Sequence, residues 1–124
     1  MARAPLVSAK KALHWVGSAH KDILGLPKPV QRTFGFGLEA SQFGGKPRDA
    51  KPWKGDGPGV LEIVEDFRGD TFRAIYTVQF EAAVYVLHVF QKKSKRGIAT
   101  DRKDQELVAS RLRDAQRDYG VRYG

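Results

Sequence analysis

The sequence predicts an α+β domain in which a small, mostly antiparallel sheet carries helices laid against it. Three observations lead there. Residues 60–90 hold three β-type runs joined by short turns, Pro29–Phe43 has apolar residues at helical spacing, and the stretch after Thr100 has an apolar stripe with complementary charges at its two ends. The predicted order is β-α-α-β-β-β-α, with a flexible N-terminus over residues 1–11 and a single domain over 12–124.

Leu13 to Val16 is a short apolar run that reads as the first strand. Ser18 stands where it can cap a short helix over Ala19–Leu24, which Gly25 and Pro27 stop. A longer helix is predicted from Pro29 to Phe43, with Pro tolerated in the first turn and Gly44-Gly45 ending it. Two stripes run along it: Val30, Phe34, Leu38 and Ser41, and Thr33, Phe36, Ala40 and Phe43. Gly35 and Gly37 oppose the helix by about 1 kcal/mol each relative to Ala, and closeness to the sheet is a reason to keep them. Residues 44–59, rich in Gly, Pro and Lys, read as a loop anchored by Trp53.

Val60–Phe67 is the next strand, turned by Arg68-Gly69-Asp70. Thr71–Phe80 alternates, with Phe72, Ala74, Tyr76, Val78 and Phe80 on one face and Arg73, Ile75, Thr77 and Gln79 on the other. Ala83–Phe90 is apolar enough to lie centrally. A final helix starts at Thr100 or Asp101 and runs to about Tyr119, with Val108, Leu112, Ala115 and Tyr119 as its packing stripe. Asp101 and Asp104 near its start, and Arg111, Arg113 and Arg117 near its end, suit the helix dipole.

The net charge of +8 is unevenly spread: +6 over residues 1–59, −3 over 60–90 and +5 over 91–124. A chain that gathers cations from both ends suits an anionic partner such as nucleic acid, a membrane surface or an acidic protein. No apolar stretch approaches the ~20 residues that cross a bilayer, and residues 1–11 lack the apolar run of a secretory signal. The absence of cysteine excludes disulfides and thiolate metal sites and fits the cytoplasm. With only His14, His20 and His88, scattered along the chain, neither a metal nor a cofactor is expected.

The passage Val84-Tyr-Val-Leu-His-Val-Phe-Gln-Lys-Lys-Ser-Lys-Arg-Gly97 is the most telling. A strand that ends in a burst of cations can hand rigidly placed charges to a polyanion such as RNA, or simply exit into solvent. This block resembles the phage-derived, HigB-like branch of the RelE/ParE toxin superfamily. Similarity extends to Ala50-Lys-Pro-Trp-Lys-Gly55, Val60-Leu-Glu-Ile63, Phe72-Arg-Ala-Ile-Tyr76 and Gly97-Ile-Ala-Thr100, and covers residues from about 12 to about 118.

The resemblance implies the toxin of a type II toxin–antitoxin pair. Such a toxin is a metal-independent endoribonuclease that cuts messenger RNA on the ribosome, and its partner is a helix-turn-helix, HigA-like antitoxin. Two alternatives stay open: a ParE-like gyrase inhibitor, since fold does not fix function, or a non-catalytic nucleic-acid-binding module from a prophage.

Metal-free RNA cleavage needs fixed cations around the phosphate and groups that move protons. Arg73 can grip a phosphate by two hydrogen bonds, and the resemblance puts a phosphate-binding arginine at that position; otherwise it pairs with Glu62 or Glu65. Lys92 and Lys93 leave the last strand in different directions, so only some of these cations can line one site. His88 shares a face with Val84, Val86 and Phe90 by simple alternation, and is either a general acid/base or a satisfied core histidine. The catalytic candidates are thus Arg73, Lys93, His88 and Lys92. Lys51, Lys54, Lys95 and Arg96 are the RNA-binding candidates, with Trp53 a base-stacking ring or a loop anchor. His14 and His20 are assigned to structure or surface.

Overall fold

The computed structural model describes residues 10–92 and 101–124. Its elements are β1 (Ala12–Trp15), α1 (Ala19–Leu24), α2 (Lys28–Gln42), β2 (Ala50–Pro52), β3 (Val60–Phe67), β4 (Asp70–Thr77), β5 (Ala83–Gln91) and α3 (Arg102–Tyr123). The strands form one mixed five-stranded sheet in the order β1-β5-β4-β3-β2. β1 runs parallel to β5, and the other pairs are antiparallel.

Helices cover both faces. On one, Ile23 of α1 and Val30, Phe34 and Leu38 of α2 pack against Phe72, Ala74, Tyr76, Val84, Val86 and Val89. On the other, Val108, Leu112 and Ala115 of α3 pack on Ile75, Ala83, Tyr85 and Leu87. Burial of β5 on both faces explains its continuous apolar run.

Several expectations need correction. The Gly/Pro loop contains β2, whose Ala50, Lys51 and Pro52 pair with Ile63, Glu62 and Leu61. A proline is tolerable there because β2 is an edge strand. β4 stops at Thr77, and Phe80 turns to the α3 side, where it stacks on Tyr119 at 4.5 Å between ring centroids. Ser18 stands at the N-cap of α1, yet its hydroxyl donates to Asp22 Oδ2 at 2.7 Å instead of accepting from the backbone. Of the two stripes of α2, which the spacing left unranked, the one with Val30, Phe34 and Leu38 is buried, while Phe36 and Phe43 are exposed.

Gly37 does serve close packing, since a Cβ there would fall 2.5 Å from Ile63 Cδ1, while one at Gly35 would meet nothing within 4 Å. The β3–β4 hairpin closes through Arg68 and Gly69, with φ of 53° and 85°, the doubly left-handed backbone of a two-residue turn that matches strand twist. That turn sets the register Phe67 opposite Asp70, and everything on the site face follows from it.

Candidate functional site

The register aligns side chains across the sheet, because directly opposed residues share a face. Val64 lies opposite Arg73, and Arg73 opposite Phe90. Glu62 lies opposite both Lys51 and Ile75, and Ile75 opposite His88. The Lys92 amide donates to the Thr71 carbonyl at 2.8 Å, which carries the ladder one pair beyond Phe72 and Gln91. Lys51, Glu62, Arg73, His88 and Lys92 therefore all belong to the α3-facing side of the sheet.

Arg73 is rooted mid-strand and largely sunk into this surface, its side chain 14% exposed. Its Nη1 donates to Glu62 Oε2 at 3.3 Å, and the Glu62 side chain is 10% exposed. Register explains the choice of partner. Glu62 is diagonal to Arg73 on the same face, whereas Glu65 pairs with Phe72 and faces the other way. A guanidinium carries five N–H donors, so it can hold a carboxylate and still address a phosphate oxygen.

His88 reaches this face through an irregularity. Between Ile75 and Tyr76 the β4–β5 register slips, so that Val86 pairs with Tyr76 but His88 with Ile75. The extra residue, Leu87, is a β-bulge. Past it the alternation inverts: Val84 and Val86 point to α1 and α2, while His88 and Phe90 join Arg73. Simple alternation grouped His88 with Val84 and Val86, and the bulge overturns that.

The imidazole stacks on Phe90 at 4.4 Å, and Nε2–H donates to Asp104 Oδ1 in the first turn of α3 at 2.8 Å. Its Nδ1 is buried, with no hydrogen-bond partner among the described residues. Burial pushes the pKa of His88 down; the Asp104 carboxylate opposes this, and Arg111 adds to it. The neutral ring is thus the favoured form at neutral pH.

Lys51 and Lys54 are exposed at the β2 end of the same face and in the turn that follows. Trp53 between them is buried against the α3-side core, and its Nε1 donates to Asp56 Oδ2 at 2.9 Å. It anchors the loop and offers no open ring for stacking. Lys93, Lys95 and Arg96 lie outside the described residues. His14 is hydrogen-bonded to the Tyr123 hydroxyl at 2.8 Å, and His20 packs on Trp15, both away from Arg73.

Sequence reasoning missed two members of the site. Glu62 was only an alternative partner for Arg73, and Asp104 only a dipole-compensating acid. Among the described residues no group of three or more His, Cys, Asp or Glu side chains could hold a metal ion. No described helix is long and apolar enough to cross a membrane.

Residues 21–113, from within α1 to within α3, match the protein family described as Phage derived protein Gp49-like (DUF891). The chain belongs to the Gp49-like family. No individually curated protein matches it. The matched stretch contains every candidate residue above, so the Arg73–Glu62 pair and the His88–Asp104 pair both sit within the Gp49-like portion of the chain.

Proposed function

We propose that this Gp49-like protein is a HigB-like toxin of the RelE/ParE superfamily. In this reading it cleaves messenger RNA on the ribosome without a metal and is neutralised by a helix-turn-helix antitoxin. The observation that carries it is the sharing of one sheet face by Arg73, in mid-β4, and Lys92, at the exit of β5. Membership of a phage-derived family and the chain's net charge of +8 support it further.

The 2′-oxygen of the RNA attacks the adjacent phosphorus, a new P–O2′ bond forms and the P–O5′ bond breaks. A 2′,3′-cyclic phosphate and a free 5′-hydroxyl result. Arg73 grips the non-bridging oxygens from a rigid base, while Lys92, with Lys93 following it, offsets the charge that grows on them. Glu62, already in contact with the guanidinium, accepts the 2′-hydroxyl proton. A lysine returns a proton to the 5′-oxygen; His88, neutral and with its one N–H given to Asp104, could do so only after taking up a proton at Nδ1. Lys51, Lys54, Lys95 and Arg96 hold flanking nucleotides or ribosomal RNA.

The test is to induce the wild type, Arg73→Lys and Lys92→Ala in translating cells, follow growth and map mRNA 5′ ends. New ends and arrested growth are expected with the wild type, and at least about tenfold fewer ends with either variant. Intact mRNA and normal growth under wild-type induction would rule the reading out. DNA damage without mRNA cleavage would instead indicate gyrase poisoning, and tight, salt-sensitive RNA binding without cleavage a non-catalytic module.

A further inference from the structure

The outward face of α2 carries apolar surface that the rest of the described chain does not cover. Phe36 is 71% exposed and Phe43 is 54% exposed. They stand seven residues apart, two helical turns, or about 10 Å along the axis. With Thr33 and Ala40 they form a continuous stripe. Isolated exposed hydrophobes are ordinary, but a periodic row beside a cavity marks an interaction site.

The cavity has a volume of about 310 Å³ and lies between Phe36 and Ala40 of α2 and the Pro47–Asp49 segment, with Gly37 and Ile63 also lining it. Gly37 keeps it open toward the sheet, since a Cβ there would lie against Ile63 and 3.6 Å from Pro47 Cγ.

Charge selects the occupant. Arg48 lines the cavity, Lys46 flanks it in sequence, Arg32 stands one turn before Phe36, and Lys10 lies over the Phe43 ring at 5.6 Å. The acids nearby are Asp49 and Glu39; Glu39 and Lys10 offset each other at 3.4 Å, which leaves Arg48, Lys46 and Arg32 against Asp49 alone. A second copy of this chain would bring the same cations face to face, which repels. An acidic partner would be attracted to the same rim.

We propose that this face, from Thr33 to Phe43 with the cavity beside it, docks an amphipathic helix of a partner protein whose apolar anchors are flanked by acidic residues. Two anchors spaced by one or two turns would settle against Phe36 and into the cavity, as helix-in-groove recognition requires. The surface lies on the α2 side of the sheet and stands whether or not the chain cleaves RNA.

The test is amide-shift mapping of the isotope-labelled protein titrated with a synthetic leucine–glutamate amphipathic peptide, its twin with lysine for glutamate, and a proline-broken twin. Shifts confined to α2, residues 46–49 and the neighbourhood of Ile63 are expected. The acidic peptide should bind at least about tenfold more tightly than either twin. Phe36→Glu and Arg48→Glu should each weaken it by at least that factor while melting temperature and any mRNA cleavage stay at wild-type level. Equal binding of the acidic and basic peptides, shifts on another face, no binding at all, or self-association through Phe36 would each overturn the proposal. Because the readout is binding, its failure is separate from a failure of the ribonuclease reading.

Discussion

His88 Nε2 donates to Asp104 Oδ1 at 2.8 Å, and this contact fastens the first turn of α3 to the interior strand β5. It joins two elements on either side of residues 93–100, where the chain carries its densest cations.

The pair predicts a dependence of stability on pH. Burial, opposed by Asp104 and Asp22 and aided by Arg111, holds the folded-state pKa of His88 below its ordinary 6.5. The unfolded chain therefore binds the proton first as pH falls, so stability declines from about pH 6.5 downward until the folded-state value is passed. His14, lowered by burial and by Arg122, acts in the same direction. Thermal melts across that range should show a shallower decline in His88→Gln, and a further flattening when His14→Gln is added. An unchanged slope in both would sink the assignment.

Asp104 offers a second test of the same contact. Asp104→Asn keeps an acceptor for Nε2–H but removes the charge that supports the imidazolium, so the His88 pKa should fall further. Asp104→Ala also loses the hydrogen bond, at a cost of about 1 kcal/mol. Imidazole NMR titration reads the first effect and denaturant unfolding the second. A His88 pKa unmoved in Asp104→Asn would count against the geometry.

The Arg73–Glu62 pair predicts strong coupling. Both side chains are largely buried, so truncating one leaves an uncompensated charge in a poorly solvated place, at a cost of about 3 kcal/mol. Arg73→Ala should be destabilised by that order, and Glu62→Gln added to it should recover at least about 1 kcal/mol. Additive effects in the double-mutant cycle would mean that the two groups do not hold each other. Arg73→Lys retains the charge without the planar fork and is therefore the better probe of phosphate binding.

Gly35 and Gly37 should respond oppositely to a methyl group. At Gly35 nothing crowds a Cβ, so Gly35→Ala gains helix propensity of about 1 kcal/mol. At Gly37 the same gain is offset by displacing Ile63, whose Cδ1 would lie 2.5 Å away. Gly37→Ala should thus be less stable than Gly35→Ala by about 1–2 kcal/mol in urea unfolding. Equal stability would show that Ile63 moves aside freely.

Alternation along β4 made the facing of Arg73 legible, because its hairpin has a short turn and an unbroken register. The facing of His88 was not legible. The bulge at Leu87 carries no glycine or proline to announce it, and one inserted residue inverts every later side chain. Periodicity identified both stripes of α2, yet it reports which residues share a face, not whether that face has a neighbour. Trp53 could be placed as an anchor because a large ring in a polar loop has few other ways to leave water. The Ala50–Pro52 strand was hidden by composition, since pairing with β3 overrode weak local propensity. Asp104 was visible only as a helix-start acid; its reach to His88 depends on how α3 lies across the sheet.

The bulge has its own brace, and removing it should be felt at His88. Arg111 Nη1 donates to the Leu87 carbonyl at 2.9 Å and Nη2 to Ser18 Oγ at 3.1 Å, and Ser18 in turn donates to Asp22. One guanidinium from α3 thus ties the extra residue of β5 to the turn that leads into α1. Gly17 makes room for it: its φ is 57°, and a Cβ there would fall 2.8 Å from the guanidinium. Arg111→Met keeps the apolar stem and loses the donors, leaving the Leu87 carbonyl without its charged partner, at a cost of about 2 kcal/mol. The same change removes a positive charge that depresses the His88 pKa, so that pKa should rise. Unfolding and imidazole titration measured on Arg111→Met should move together, stability down and His88 pKa up. Lost stability with an unmoved His88 would confine Arg111 to the α1 turn and detach it from the candidate site.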